Sequence, residues 1–75
     1  MMGNETTENS VDATFIENMI PHHEGAIEMA NLALAKAKTD EVKNLSESII
    51  ISQQKEIDDM KTWYKEWFGK DIETL

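Results

Sequence analysis

The sequence predicts an all-α protein built as an antiparallel two-helix hairpin. Among its 75 residues there are one proline and three glycines, and no segment sustains the alternation of apolar and polar residues that marks a half-buried strand. Apolar residues instead recur at helical spacing through two long segments. Only a short polar turn separates these segments, and such a turn forces consecutive helices to lie antiparallel.

The first helix is predicted over residues 11–38. Pro21 cannot donate to the carbonyl of Glu17, and its ring crowds that turn of the helix. Because the apolar face keeps its phase across the proline, we expect one kinked helix rather than two. His23 is the only strongly polar residue in that face. At seven-residue spacing, the rows of the face are Ile16, His23, Ala30 and Ala37; Met19, Ala26 and Ala33; and Ile20, Ile27 and Leu34.

The second helix is predicted over residues 40–68. Thr39 is its expected N-cap, two acidic residues fill its first turn, and Gly69 is a suitable C-terminal cap. Trp63 and Trp67 are expected to anchor the core or an interface. The rows of its apolar face are Val42, Ile49, Glu56 and Trp63; Ser46, Gln53, Met60 and Trp67; and Ile50, Ile57 and Tyr64.

The two ends of the chain are predicted to lie outside the helical domain, which spans residues 11–69. Residues 1–10 are polar and are expected to form a disordered N-terminal tail, and residues 70–75 a short acidic C-terminal tail. The first ten residues lack the apolar segment of a signal peptide. The sequence leaves the localisation open.

Composition excludes several classes of function. Cysteine is absent, so disulfides, thiolate zinc sites, iron–sulfur clusters and cysteine nucleophiles are excluded. A net charge of −8 disfavours binding to nucleic acid or anionic lipid. No apolar stretch approaches the roughly 20 residues that span a membrane. We therefore expect no nucleic-acid partner and no membrane insertion.

A homodimer is the expected assembly. A hairpin leaves half of each wide apolar face uncovered, and a short domain without disulfides buries little apolar surface by itself. Pairing two hairpins into a four-helix bundle covers the remaining faces. The row of alanines on the first helix permits close approach.

The hairpin geometry brings polar atoms and sulfurs together at one level. Facing residues have numbers that sum to roughly 79, within one helical turn. This rule places His23 opposite Glu56, Met19 opposite Met60 and Ala26 opposite Gln53. The one histidine of the first face thus meets the one acid of its facing row.

Imidazole and thioether together form a ligand set for a soft metal ion. Thioether sulfur binds Cu(I) or Ag(I) far better than it binds Zn, Mg or Ca, and imidazole is the commonest metal ligand. Glu56 is expected to accept a hydrogen bond from the far ring nitrogen of His23 and so fix its tautomer. Because adjacent histidines point about 100° apart, His22 faces the flank of the helix, where Met29 follows seven residues later.

A second interpretation needs no metal. His23 and Glu56 then form a satisfied polar pair in the core, the methionines fill space, and the protein is a dimerising interaction module. An enzyme is not expected. The chain has no Gly-rich phosphate loop, neither histidine has an acid three residues before it as di-iron bundles require, and two helices offer little pocket for a substrate.

Two motifs resemble a known protein family. The run FIENMIPHHEGAIEMA, residues 15–30, is similar to the core motif of the bacterial family called "domain of unknown function 305". The run ISQQKEIDDMKTWY, residues 51–64, resembles the second-helix pattern of that family. The resemblance covers residues 12–68 and implies a ferritin-like helical bundle. Longer relatives hold two such hairpins in one chain, which again favours a dimer here.

The resemblance also implies a function. Some members of the family are exported proteins linked to copper or silver binding, so it implies Cu(I) or Ag(I) as the bound ion and a role in copper sequestration or transfer. By position, the metal-site residues that it implies are Met19, His22, His23, Met29 and Met60, with Gln53 and Glu56 in supporting positions.

Overall fold

Two long α-helices packed against each other make up the fold. The computed structural model describes residues 10–72, with α1 spanning Val11–Lys36 and α2 spanning Asp40–Phe68. These described residues contain no strand. The predicted all-α hairpin is confirmed. Neither helix in this part of the chain combines the length and apolar content needed to cross a bilayer.

α1 begins immediately after Ser10. Its hydroxyl oxygen accepts a hydrogen bond from the backbone N–H of Ala13 at 3.1 Å, which satisfies one of the unpaired donors of the first turn. Ser10 is therefore the N-cap of α1, although the sequence assigned it to the N-terminal tail. The rest of that predicted tail, residues 1–9, lies outside the described residues.

α1 continues through Pro21 without interruption. The proline is exposed, so its ring faces solvent rather than the second helix. Because proline has no N–H, the carbonyl of Glu17 lacks the helical donor that it would otherwise receive from this position. The prediction of one helix across Pro21 is confirmed, and the kink there stays a prediction.

A three-residue turn, residues 37–39, reverses the chain. Ala37 and Thr39 both have extended backbone, so α1 ends at Lys36, two residues earlier than the sequence predicted. The Ala37 N–H donates to the carbonyl of Ala33 at 2.7 Å. The Thr39 hydroxyl accepts from the Val42 N–H at 3.3 Å. Thr39 is the predicted N-cap of α2.

α2 has the predicted bounds. Gly69 caps it with a left-handed backbone, φ 74°, and donates its N–H to the carbonyl of Lys65 at 2.9 Å. A side chain would be strained in that conformation, which is why glycine suits the position. Beyond it, Lys65 forms an ion pair with Asp71 at 3.3 Å, and Ile72 packs against the core. Residues 73–75 of the predicted C-terminal tail lie outside the described residues.

The main core lies at the open end of the hairpin, away from the turn. The Tyr64 hydroxyl donates to the Glu17 carboxylate at 2.6 Å and links the two helices there. Nearer the turn the buried side chains are small, Ala30 and Ser46, so the helices can approach closely. The cluster of buried side chains consists of Ala13, Ile16, Ile20, Ile57, Met60 and Tyr64.

Candidate metal centre

Midway along the hairpin, the side chain of His23 meets Glu56 across the helix interface. The imidazole Nε2 lies 2.6 Å from the carboxylate Oε1. The His23 side chain is 12% exposed, whereas that of Glu56 is 54% exposed. The predicted pairing of His23 with Glu56 is confirmed. Glu56 is the more exposed member of the pair.

The second ring nitrogen of His23 is also paired. Nδ1 lies 2.9 Å from the backbone carbonyl of Met19, one turn earlier on α1. A carbonyl oxygen only accepts, so Nδ1 carries a proton. Nε2 faces the Glu56 carboxylate. A metal ion binds a ring nitrogen that has no proton, so an ion at Nε2 would replace the bond to Glu56.

The Met19 carbonyl accepts a hydrogen bond from Nδ1 of His23 and holds the proton there. The expected role of Glu56 in fixing the imidazole tautomer stays a prediction. Nε2 is then the nitrogen that a metal ion would use. Glu56 occupies that position, and its side chain can rotate away from the ring, whereas the Met19 carbonyl is fixed in the helix.

A cleft of about 330 Å³ lies beside this pair. One wall contains Met60, which is only 5% exposed, so a thioether side chain lines the same cleft as the imidazole. The cleft takes side chains from both helices. Its lining residues are Phe15, His23, Glu56, Asp59, Met60 and Trp63.

The cleft is electronegative. Of its lining residues, two are carboxylates and only His23 can carry a positive charge. The Lys55 ammonium donates to Asp59 at 2.8 Å from outside the cleft, and this hydrogen bond, with the attraction between the two charges, raises the pKa of Lys55. Asp59 is thus hydrogen-bonded to Lys55, while Glu56 faces His23, and two carboxylates in one cleft favour a cation there.

The cleft brings together three of the seven residues that the sequence proposed: His23, Glu56 and Met60. Met19 is half-buried and packs against the core cluster that contains Met60, and its backbone carbonyl bonds His23. His22 is exposed on the flank, and its ring lies 6.4 Å from that of His23, edge to face.

The remaining two residues lie at the margin. Met29 is 73% exposed and borders a different cleft near the turn, with Ala26 and Ile49. Seven residues of helix separate it from His22, which is about 10 Å along the axis. Gln53 is half-buried, one turn before Glu56 on α2.

Three lining residues were not proposed from the sequence: Phe15, Asp59 and Trp63. A signal for Trp63 was present, because it follows Glu56 by seven residues in the same row. Phe15 and Trp63 also obey the facing rule, since their numbers sum to 78. Trp63 was expected only as an anchor, but 44% of it is exposed at the wall of the cleft.

Among residues 10–72, no group of three or more His, Cys, Asp or Glu side chains is placed to hold a metal ion. The side chains that line the cleft include one imidazole and one thioether, those of His23 and Met60.

Comparison with known proteins identifies the family. Residues 12–74 match the sequence profile described as "Domain of unknown function (DUF305)". The chain belongs to this family. An uncharacterised protein, L153 of Acanthamoeba polyphaga mimivirus, is 41% identical over 51 residues, which are 68% of this chain and 34% of that protein. Because this relative is viral, the bacterial origin implied by the resemblance stays an expectation.

Solved structures of CopM have the same fold. The Cu(I)-bound form is 48% identical and superposes with a TM-score of 0.82, covering 89% of this chain and 49% of CopM. The Ag-bound form obtained by soaking is 48% identical and superposes with a TM-score of 0.83, covering 87% of this chain and 48% of CopM. The Cu(II)-bound form is 50% identical with a TM-score of 0.81, covering 83% of this chain and 42% of CopM. The chain thus spans about half the length of CopM and about a third of the viral relative.

Proposed function

We propose that this chain binds a soft monovalent metal ion, Cu(I) or Ag(I), through His23 Nε2 and the thioethers of Met19 and Met60. The observation that carries the proposal is the meeting of an imidazole and a buried thioether in the wall of one electronegative cleft. Imidazole with thioether is a donor set that suits Cu(I) and Ag(I). The similarity to CopM, which has been solved with Cu(I), Cu(II) and Ag, supports it.

The proposed role is copper sequestration or transfer, without catalysis. Binding at Nε2 exchanges the hydrogen bond with Glu56 for a metal bond, and the displaced carboxylate is free to return when the ion leaves. Such an exchange makes binding reversible. His22 lies close enough on the exposed flank to supply a further nitrogen during transfer, whereas Met29 lies outside the proposed ligand set.

Assembly as a homodimer is part of the proposal. Exposed apolar side chains of both helices lie on the side that carries the cleft. Their rows alternate steps of three and four residues, which is the spacing of a coiled-coil seam. We therefore propose that a second copy packs on this side as a four-helix bundle. The rows are Phe15, Met19, His22, Ala26, Met29 and Ala33 on α1, and Leu45, Ile49, Ser52, Glu56, Asp59 and Trp63 on α2.

A competing function is a structural module that uses no metal. It is favoured by one observation: both ring nitrogens of His23 already have partners, and no buried side-chain nitrogen or oxygen within residues 10–72 lacks one. On this hypothesis His23→Gln lowers the melting temperature, and adding Cu(I) leaves it unchanged. A ligand that binds only the folded state would raise it.

The Met19→Leu/Met60→Leu double variant tests the proposed ligands. Leucine conserves the volume of methionine, so the hairpin should keep its helical circular dichroism. Without thioethers, the affinity for Cu(I), measured under reducing conditions against a coloured Cu(I) chelator, should fall by at least about tenfold, a loss of roughly 1.4 kcal/mol.

Met29→Leu is the matched control, because it removes an exposed thioether of α1 outside the cleft. Its affinity should equal that of the parent. Parental affinity in the double variant would contradict thioether ligation at Met19 and Met60.

A further inference from the structure

The wall of the cleft next to Met60 is the indole ring of Trp63, which the proposed ligand set does not use. This ring stacks on Trp67, with centroids 5.8 Å apart and planes inclined by 9°. Trp67 lies one turn nearer the C-terminus of α2, so it covers the C-terminal face of the Trp63 ring. The opposite face lies on the N-terminal side of the ring, and Met60 and Glu56, one and two turns earlier on the helix, line the same cleft as Trp63.

The free face of this ring is an electrostatic feature of the cleft. An aromatic face carries negative quadrupole charge and attracts a cation near its centre, and indole does so most strongly among the aromatic side chains. Stacking on Trp67 restrains the ring, so little rotational freedom is lost when a cation approaches. Glu56 and Asp59 add negative charge to the same cleft.

We propose that the free face of Trp63 contacts the monovalent ion held at His23 and Met60 and is a cation–π component of the metal site. The inference rests on the proposed function. Trp63 donates no lone pair and adds no charge, so it stabilises a weakly hydrated monocation while excluding water from one side of it. A strongly hydrated divalent ion such as Zn(II) gains little from the same contact, because it keeps its water.

Tryptophan fluorescence tests this contact directly. Trp63 and Trp67 are the two tryptophans of the chain, so Trp67→Phe leaves Trp63 as the sole indole emitter, and Trp63→Phe leaves Trp67. Each variant is titrated with silver nitrate in chloride-free buffer. We expect one equivalent of Ag(I) to quench most of the emission of the Trp67→Phe chain and little of the emission of the Trp63→Phe chain.

Affinity supplies a second readout. Trp63→Leu should weaken Ag(I) binding by about two- to fivefold, the size of a partly exposed cation–π contact, with Trp63→Phe between it and the parent. Native mass spectrometry of the same samples counts the bound Ag(I) ions. This count distinguishes failure of the Trp63 contact from failure of metal binding itself. If Ag(I) binds and the emission of the Trp67→Phe chain is unchanged, the role of Trp63 is overturned and the proposed function stands. If no Ag(I) binds to the parent chain, both are overturned.

Discussion

At His23, each ring nitrogen has its own partner. Glu56 lies 2.6 Å from Nε2, and the Met19 carbonyl lies 2.9 Å from Nδ1. The carbonyl bond leaves Nε2 as the nitrogen available to a metal ion once Glu56 leaves. The proposed metal binding at His23 would therefore break one specific hydrogen bond and keep the other.

Glu56→Gln measures that exchange. Without metal, the variant should lose about 0.5–1 kcal/mol of stability, the value of a largely exposed charged pair, or roughly 2–8 °C in melting temperature for a domain of this size. Saturated with Ag(I), the variant and the parent should melt at the same temperature, because the bond is already broken in both. Thermal unfolding followed by circular dichroism gives both differences.

Glu28→Gln is the control for this comparison, since Glu28 is an exposed glutamate of α1 away from the cleft. It should change neither melting temperature. An equal loss for Glu56→Gln with and without Ag(I) would mean that the His23–Glu56 bond persists, and it would contradict ligation through Nε2.

The meeting of His23 with Glu56 could be predicted because helix register is set by the short turn and by the spacing of the apolar rows. The bond from Nδ1 to the Met19 carbonyl could not, because it depends on how the ring is rotated about its own axis. The exposure of Trp63 was missed for a related reason. Heptad position states which side of the helix a residue is on, but not how much of that side the partner helix covers.

At the scale of the helices, the caps of α2 could be predicted from residue type. Thr39 and Gly69 cap α2 as predicted, since a threonine hydroxyl and a left-handed glycine each satisfy orphan backbone groups. The end of α1 differed by two residues. The extended backbone of Ala37 belongs to the chain reversal, and no property of alanine, a strong helix former, indicates it.

Pro21 lies inside α1 at the cost of one backbone hydrogen bond, and its removal should therefore stabilise the hairpin. Pro21→Ala restores an N–H donor for the Glu17 carbonyl and should raise the free energy of unfolding by roughly 1–3 kcal/mol. Unfolding in urea measures it.

Gly25→Ala is the matched variant on the same helix, because a Cβ added there meets nothing within 4 Å. It should gain only the usual glycine-to-alanine difference of about 0.5–1 kcal/mol. If Pro21→Ala gained no more than Gly25→Ala, the proline ring would itself contribute to packing, and the lost hydrogen bond would not be its main effect.

At the scale of the whole molecule, residues 10–72 leave one side of the hairpin uncovered. Its core cluster sits at one end, while exposed apolar side chains continue along the side that carries the cleft. Surface of this kind is typical of an interaction site. The proposed homodimer covers it and places the two metal sites of the assembly within the bundle.

Leu45→Lys tests the proposed interface. Leu45 is exposed on the cleft side, and a buried lysine there carries an unpaired charge, so the variant should be monomeric at concentrations where the parent is dimeric. Ile51→Lys is the control, because Ile51 is also exposed but lies on another side of α2. Sedimentation equilibrium gives the masses. Identical masses for the two variants would contradict an interface on the cleft side.

Native mass spectrometry of the chain, titrated with Cu(I) under reducing conditions and with Zn(II) in parallel, tests the central claim most directly. The account predicts discrete copper-loaded species of the dimer at defined ratios and no matching zinc species, since thioether ligands select the softer ion. A chain that stays metal-free at every Cu(I) ratio would contradict the metal site and would leave His23 and Glu56 as a polar pair of a structural module.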